Sequence, residues 1–377
     1  MLDIQMVDLQ GQYLQIKQEI DEAIQSILNS SRFIKGPQVQ QFEMNLSAYL
    51  RGSKVISCAN GTDALQIAMM ALDINPGDEI IVPAFTYVAT AEVIALLGLT
   101  PVMVDVDLAT FNIDIESLAG AITSKTKAIV PVHLYGQCSN MEAIMNIANQ
   151  HDLYIIEDNA QAIGASHVSS DGQVQKTGTL GHIGCTSFFP SKNLGCYGDG
   201  GALYTSDTQL ANKIQMISNH GQKIKYHHDI VGINSRLDAI QAAVLNVKLK
   251  YLDAYSKSRQ EAAAYYDQSL MDVNEITIPE RANYSTHVYH QYTLRIKNNL
   301  RNDLKKHLTS HGIPSMIYYP LPLYRQKAYE MYAPETHLKN TEQLCQEVLS
   351  LPIHTEMSEE KLKYICKHIH TFFSKMN

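Results

Sequence analysis

The chain has 377 residues, a net charge of −8, and 45% apolar against 18% charged side chains. The length suits two domains, and the apolar share supports a sizeable core, which excludes a disordered chain. A basic excess is missing, so a nucleic-acid partner is not expected, although a small anion held by local donors remains compatible with the charge.

The first residues carry no basic stretch followed by an apolar run, so no secretory signal is read, and no apolar stretch approaches a membrane span. Cys58, Cys138, Cys185, Cys196, Cys345 and Cys366 form no C-x-x-C pair. They read as reduced thiols, and the expected location is cytoplasmic. Ile16, Ile20, Ala23, Ile24, Ile27 and Leu28 recur at helical spacing and predict an amphipathic first helix. Gly36-Pro37 breaks the chain, and Pro37 starts a second helix with Val39, Phe42, Leu46 and Leu50 on one face.

From residue 54 short apolar runs alternate with helical patterns. The runs at 54–57, 79–82, 101–106, 128–132 and 153–156 read as buried strands, and the helices between them start near Thr62, Thr90, Ile115 and Met141. Such alternation predicts an α/β fold with a large, mostly parallel sheet between helices. Two more strands are expected at 185–189 and 202–205, followed by one long helix over 236–265. The remainder mixes strands and helices without that rhythm. It predicts a large domain over 1–250 and a smaller α+β domain over 251–377.

Open α/β sheets bind ligands beyond the carboxyl ends of their strands, and three polar clusters fall there. In Ser57-Cys-Ala-Asn-Gly-Thr-Asp-Ala-Leu, Gly61 and Thr62 open a helix. The backbone N–H groups of such a helix start attract phosphate, and an ordinary N-cap is the plainer reading. In Ile155-Ile-Glu-Asp-Asn-Ala-Gln, an apolar strand ends in two carboxylates. Asp158 needs a partner there: either a pyridinium N–H, which the carboxylate would keep protonated, or the backbone of a following turn. In Thr186-Ser-Phe-Phe-Pro-Ser-Lys-Asn-Leu-Gly-Cys-Tyr-Gly-Asp-Gly-Gly, Lys192 stands between an aromatic strand and a glycine-rich loop. A lysine buried in such surroundings has a depressed pKa and can form a Schiff base. The loop has neither the dinucleotide spacing nor a Walker A pattern.

A fourth cluster, Val231-Gly-Ile-Asn-Ser-Arg-Leu-Asp, reads structurally: Asn234 or Ser235 caps the long helix and Asp238 sits in its first turn. His307 and His311 stand at i, i+4, but no third ligand is near in sequence, so a helix face is the plainer account and no metal is expected. The pair His227-His228 and the Cys366–His370 cluster read likewise. No G-x-S-x-G is present.

As a set, Cys58-Ala-Asn-Gly-Thr-Asp-Ala-Leu, Pro83-Ala-Phe-Thr-Tyr-Val-Ala-Thr-Ala-Glu, His133-Leu-Tyr-Gly-Gln, Glu157-Asp-Asn-Ala-Gln, Ser187-Phe-Phe-Pro-Ser-Lys and Gly232-Ile-Asn-Ser-Arg-Leu-Asp resemble the DegT/StrS-type sugar aminotransferases. These are a branch of the fold-type I enzymes that use pyridoxal 5'-phosphate (PLP). The resemblance runs from Val7-Asp-Leu to Ser350-Leu-Pro. It implies that Lys192 holds PLP and performs the proton transfers and that Asp158 pairs with the ring nitrogen. It further implies that Gln161 bonds the phenolic oxygen, that Tyr87 stacks on the ring, and that Gly61, Thr62 and Ser187 bind the phosphate. Asn234 would reach the phosphate in the neighbouring subunit, which makes the expected assembly a homodimer with shared active sites. Tyr318, Tyr319 and His220 are the expected sugar contacts.

The same motifs look most like those of enzymes that aminate the 3-keto form of UDP-N-acetylglucosaminuronic acid for O-antigen or lipopolysaccharide assembly, with L-glutamate as donor. A dTDP-3-keto-6-deoxyhexose 3-aminotransferase and a 4-aminotransferase are the alternatives. Many relatives carry His-Tyr-Pro where this chain has Tyr318-Tyr-Pro. Related dehydratases replace the lysine with histidine, whereas Lys192 is present here. From other classes, a PLP-binding regulatory protein without turnover and a plain α/β metal-binding module stand against the enzyme.

Overall fold

The computed structural model describes residues 2–375. The strands in chain order are β1 (Lys54–Cys58), β2 (Glu79–Pro83), β3 (Thr100–Val104), β4 (Thr126–Ile129), β5 (Tyr154–Asp158), β6 (Ser166–Val168), β7 (Val174–Lys176), β8 (Ile183–Ser187), β9 (Gly201–Thr205), β10 (Gln222–Ile224), β11 (His227–His228), β12 (Ile276–Thr277), β13 (Tyr292–Ile296) and β14 (Val348–Leu351). Seven of them form the main sheet in the order β1-β9-β8-β5-β4-β2-β3. Only β9 runs antiparallel to its neighbours, while β8, β5, β4, β2 and β3 pair in parallel. This is the expected sheet between helices. Its parallel strands are mostly buried, with apolar centres such as Ile80-Ile-Val82 and Ile155-Ile156, because both faces are covered.

The helix Gly61–Ala71 shows how that cover is built. Ala64, Leu65, Ile67, Ala68 and Met69 are all buried, so the helix is apolar on most sides and packs into the sheet core with Ile80, Val82, Ile156 and Leu203. At the other end of the chain, β12, β13 and β14 form a three-stranded antiparallel sheet. Tyr266, Leu294, Leu304, Leu351 and Ile365 gather in a second core on it, and Ile4 joins them from the start of the chain.

Three local expectations change. The long helix over 236–265 is two helices, Ala239–Leu249 and Leu252–Leu270. Neither Asn234 nor Ser235 caps the first of these. Asp238 occupies the cap position rather than the first turn, and its side chain makes no capping bond. The first amphipathic run forms the helix Lys17–Ser30, with a separate short helix, Leu9–Gln15, before it, and its apolar face differs in one position. Ile20 and Ile27 are buried, but Leu28 is 47% exposed, one position off the buried stripe. The strand expected over 185–189 ends at Ser187, where the chain turns into the glycine-rich loop.

All six cysteines are buried and unpaired. Among the described residues no helix is long and apolar enough to cross a membrane.

Candidate active site

The carboxyl ends of β1, β2, β5 and β8 converge on one edge of the main sheet. At the end of β1 the helix Gly61–Ala71 begins. Asn60 caps it by accepting from the Asp63 N–H at 2.8 Å, and the Asn60 carbonyl accepts from the Ala64 N–H. Among the described residues the N–H groups of Gly61 and Thr62 have no acceptor, as expected for the first turn of a helix. The end of β8 lies against them. A Cβ on Gly61 would stand 2.6 Å from Ser187 Cβ, so only glycine lets the helix start approach this closely. Ser187 Oγ accepts from the Phe189 N–H at 3.2 Å, which leaves its own hydrogen free to donate. These two backbone donors, with the Ser187 hydroxyl beside them and Thr62 in the same turn, form a cradle of the kind that suits an anion.

Asp158 is the last residue of β5 and is 6% exposed. Its Oδ2 accepts from the Thr90 hydroxyl at 2.8 Å, and its Oδ1 accepts from the Ala160 N–H at 3.1 Å. The turn-capping reading therefore describes one of its oxygens. Thr90 is fully buried in the first turn of Ala89–Leu96, where it was read only as a helix start. A hydroxyl on the buried, otherwise apolar face of the helix, opposite the exposed Glu92, is the signal that could mark it.

The other carboxylate of the pair has a different task. Glu157 is fully buried and accepts from the N–H groups of Gly178, Leu180 and Gly181 at 2.6–2.7 Å, and from His133 Nε2 at 2.8 Å. His133 Nδ1 accepts from the Ser139 N–H at 3.1 Å, so its proton is on Nε2. Glu157 thereby ties the turn before β8 to β5. Replacing it with alanine strands four donors, of which those of Gly178 and His133 are buried, and is expected to cost about 3–5 kcal/mol. Denaturant unfolding of Glu157→Ala beside the parent checks this, and unchanged stability would contradict it.

Lys192 follows β8 in the glycine-rich loop, its backbone N–H donating to the Phe189 carbonyl at 2.8 Å. The side chain is largely withdrawn from solvent, and among the described residues it forms no salt bridge. Burial pushes its pKa down to about 8, while the Asp158 charge acts in the opposite direction. The free amine thus becomes available at a lower pH than in an ordinary lysine, as a nucleophilic lysine requires.

Gln161 is buried just after Asp158. Its Oε1 accepts from the Tyr135 N–H at 2.8 Å, which points its Nε2 at the Tyr319 hydroxyl, 3.2 Å away. Tyr319 packs edge-on to Phe85, with ring centroids 5.8 Å apart, and lies 6.4 Å from Tyr87. The Tyr135 hydroxyl donates to the Tyr318 carbonyl, which fixes the Tyr318-Tyr319 segment over this cluster. Tyr87 itself is 57% exposed at the mouth of the site. His290, not singled out from the sequence, is buried with its Nδ1 unpartnered. Burial and the nearby charges of Lys192 and Arg259 hold it well below the usual histidine range. No spacing pattern in the sequence marks it.

Two expected site residues stand apart from this group within one chain. Asn234 is exposed, and it pairs through its backbone with Asn219. Its neighbour Ser235 is fully buried, and Ser235 Oγ accepts from the Ala59 N–H at 3.0 Å, which links this segment to the end of β1 beside the cradle. His220 is also exposed. Its polar contacts are its own backbone groups, with Ile233 and with the ring of His228.

A family model described as the DegT/DnrJ/EryC1/StrS aminotransferase family matches residues 14–370. The chain is 45% identical over 375 residues to the "Pleiotropic regulatory protein" of Geobacillus stearothermophilus, with 99% of each chain covered. It is 46% identical over 363 residues to the UDP-2-acetamido-2-deoxy-3-oxo-D-glucuronate aminotransferase of Pseudomonas aeruginosa, covering 96% of this chain and 98% of that one. The crystal structure of ntda from Bacillus subtilis with bound cofactor PMP superimposes with a TM-score of 0.88 at 33% identity, covering 96% of this chain and 82% of the other. With an amine, a carboxylate and an anion cradle converging on one sheet edge and this likeness running over nearly the whole length, the chain belongs to the DegT/DnrJ/EryC1/StrS aminotransferase family and is a transaminase.

Proposed function

We propose that this protein uses PLP to move the amino group of L-glutamate to C3 of a nucleotide-linked 3-keto sugar. The substrate that fits best is UDP-2-acetamido-2-deoxy-3-oxo-glucuronic acid, and the product would be the corresponding 3-amino sugar of O-antigen or lipopolysaccharide assembly. The observation that carries the reading is the pairing of a low-pKa amine, Lys192, with the buried carboxylate of Asp158. The sugar comes from the 46% identity to the Pseudomonas aeruginosa enzyme.

The residues present fit PLP. The cradle of Gly61, Thr62 and Ser187 suits its phosphate, and Gly61 is packed too closely on Ser187 to admit a side chain. Asp158 suits a protonated ring nitrogen, Gln161 Nε2 a phenolic oxygen, and Tyr87 a ring face. When bound, PLP supplies an aldehyde that condenses with amines and a ring that accepts the electron pair left by a departing proton. Lys192 would take the α-proton of glutamate and later deliver it to the cofactor's aldehyde carbon (C4'), acting alternately as base and acid. Asp158, unable to leave its Thr90 and Ala160 contacts, holds a positive charge opposite it. Tyr318 and Tyr319 border the side from which the sugar would enter, and His220 would meet it from the exposed segment.

The homodimer with shared sites belongs to the same reading. Tyr226 and Val231 are 78% and 85% exposed beside Asn234, and Phe33 and Ile34, also exposed, join the segment at Asp238 and Ala239. An apolar surface of this kind suits burial against a second copy.

A spectral titration of the PLP-loaded protein tests the proposal. The absorbance of the lysine-bound cofactor is expected to bleach with L-glutamate and to return with the UDP-linked 3-keto uronic acid, leaving a 3-amino product by NMR. Return only with a dTDP-linked 3-keto-6-deoxyhexose, or a 4-amino product, would replace the sugar assignment by one of its alternatives. No bleaching with glutamate would favour a regulatory role, the reading that the name of the Geobacillus relative carries.

A further inference from the structure

Three histidines outside this site come together in the fold. His307 lies on the helix Arg301–Ser310, His311 occupies the cap position at its carboxyl end, and His368 lies on the helix Glu359–Ser374 packed against it. In sequence only the i, i+4 pair is visible; the third imidazole arrives through the packing of the two helices. One ligand nitrogen from each ring lies within 4.8 Å of the other two, and all three residues are half-buried.

Hydrogen bonds to carbonyls set two of the tautomers. His307 Nε2 lies 3.1 Å from the His368 carbonyl, and His311 Nδ1 lies 2.7 Å from the His307 carbonyl. A carbonyl oxygen only accepts, so each of these nitrogens carries its ring's proton and the other nitrogen keeps a lone pair. His368 Nδ1 is buried without a partner among the described residues. Metal-ligating histidines are held in this way, one nitrogen donating to a carbonyl while the other meets the ion.

We propose that His307, His311 and His368 form a binding site for a divalent ion of the zinc class, bridging the two helices. An all-imidazole set selects zinc, nickel or copper and not magnesium or calcium, which take oxygen ligands. Tetrahedral zinc with Zn–N of about 2.0–2.1 Å places ligand nitrogens roughly 3.3 Å apart, so the rings close on the ion by rotation, with water as the fourth ligand. Lys367 and Lys375 are the nearby cations and limit the affinity.

The test is isothermal titration of Zn2+ into the tag-free, full-length, PLP-loaded protein after dialysis against a chelator. One ion per chain is expected, together with a rise in unfolding temperature. His311→Gln and His368→Gln are expected to weaken binding by more than the roughly 10–100-fold that loss of a supporting contact costs. His227→Gln, in the exposed pair, should leave it unchanged. Circular dichroism establishes that each variant is folded, and His307→Gln substitutes for any that is not. Absence of binding in the parent, or equal affinity in the His307→Gln/His311→Gln/His368→Gln triple variant, overturns the site.

Discussion

Lys192→Ala is expected to bind PLP without the absorbance of a lysine-bound cofactor, and to lose at least about 10²–10⁴-fold in amino transfer. That range is the contribution of a positioned acid–base group alone. The fold should survive, because the Lys192 side chain forms no salt bridge among the described residues and its backbone bond to Phe189 is kept. A second readout needs no turnover. Burial brings the amine's pKa down to about 8. Below that pH the side chain is protonated and unreactive, so labelling of the cofactor-free protein by a small aldehyde and borohydride at this residue should rise through about pH 8. An ordinary surface lysine would respond near 10.4. Lys192→Ala should lose that labelled site. Retained turnover in the variant would remove Lys192 from the chemistry altogether.

Asp158→Asn is expected to leave the protein folded and to lower amino transfer by about 10²–10³-fold, the loss typical when one preorganised charge-stabilising group is removed. The amide can still accept from the Ala160 N–H and meet the Thr90 hydroxyl, which can turn from donor to acceptor. What disappears is the negative charge. Asp158 raises the pKa of Lys192 against the effect of burial. Without it the amine deprotonates more easily, so the aldehyde-labelling midpoint should move below about 8. A merely structural role for Asp158 predicts lost stability with an unmoved midpoint, and that pairing of results would refute the assignment.

Much of the architecture could be read from patterning. Apolar runs of strand length separated by amphipathic stretches at 54–156 imply parallel pairing, since connections of that length cross over the sheet. The predicted strands there lie within or overlap β1 to β5. Boundaries were poorer where tertiary contacts outweighed local preference. The helical pattern over 236–265 runs on without a glycine or proline, yet the chain breaks at Lys250 and Tyr251, where Leu252 must enter the core beside the N-terminal helices. Ser235 offered a capping hydroxyl to its own helix but gives it to Ala59, far away in sequence.

In the site, the motifs announced the residue types that carry chemistry, because an amine, a carboxylate and a glycine are each conspicuous in apolar surroundings. The task of Glu157 beside Asp158 was not legible. Glu157 and Asp158 are adjacent and chemically alike, but strand alternation sends one into a nest of backbone donors and the other to the open edge of the sheet. Thr90, Tyr135 and His290 enter the site from three separate segments, and His368 completes a histidine trio from another helix. Periodicity and motif spacing report neighbours along the chain, so they reach the strands, the helices and the conspicuous lysine of the glycine-rich loop. Proximity between distant segments is set by how whole elements pack, and partners such as Thr90 for Asp158, or His368 for His307 and His311, exist only once that packing is complete.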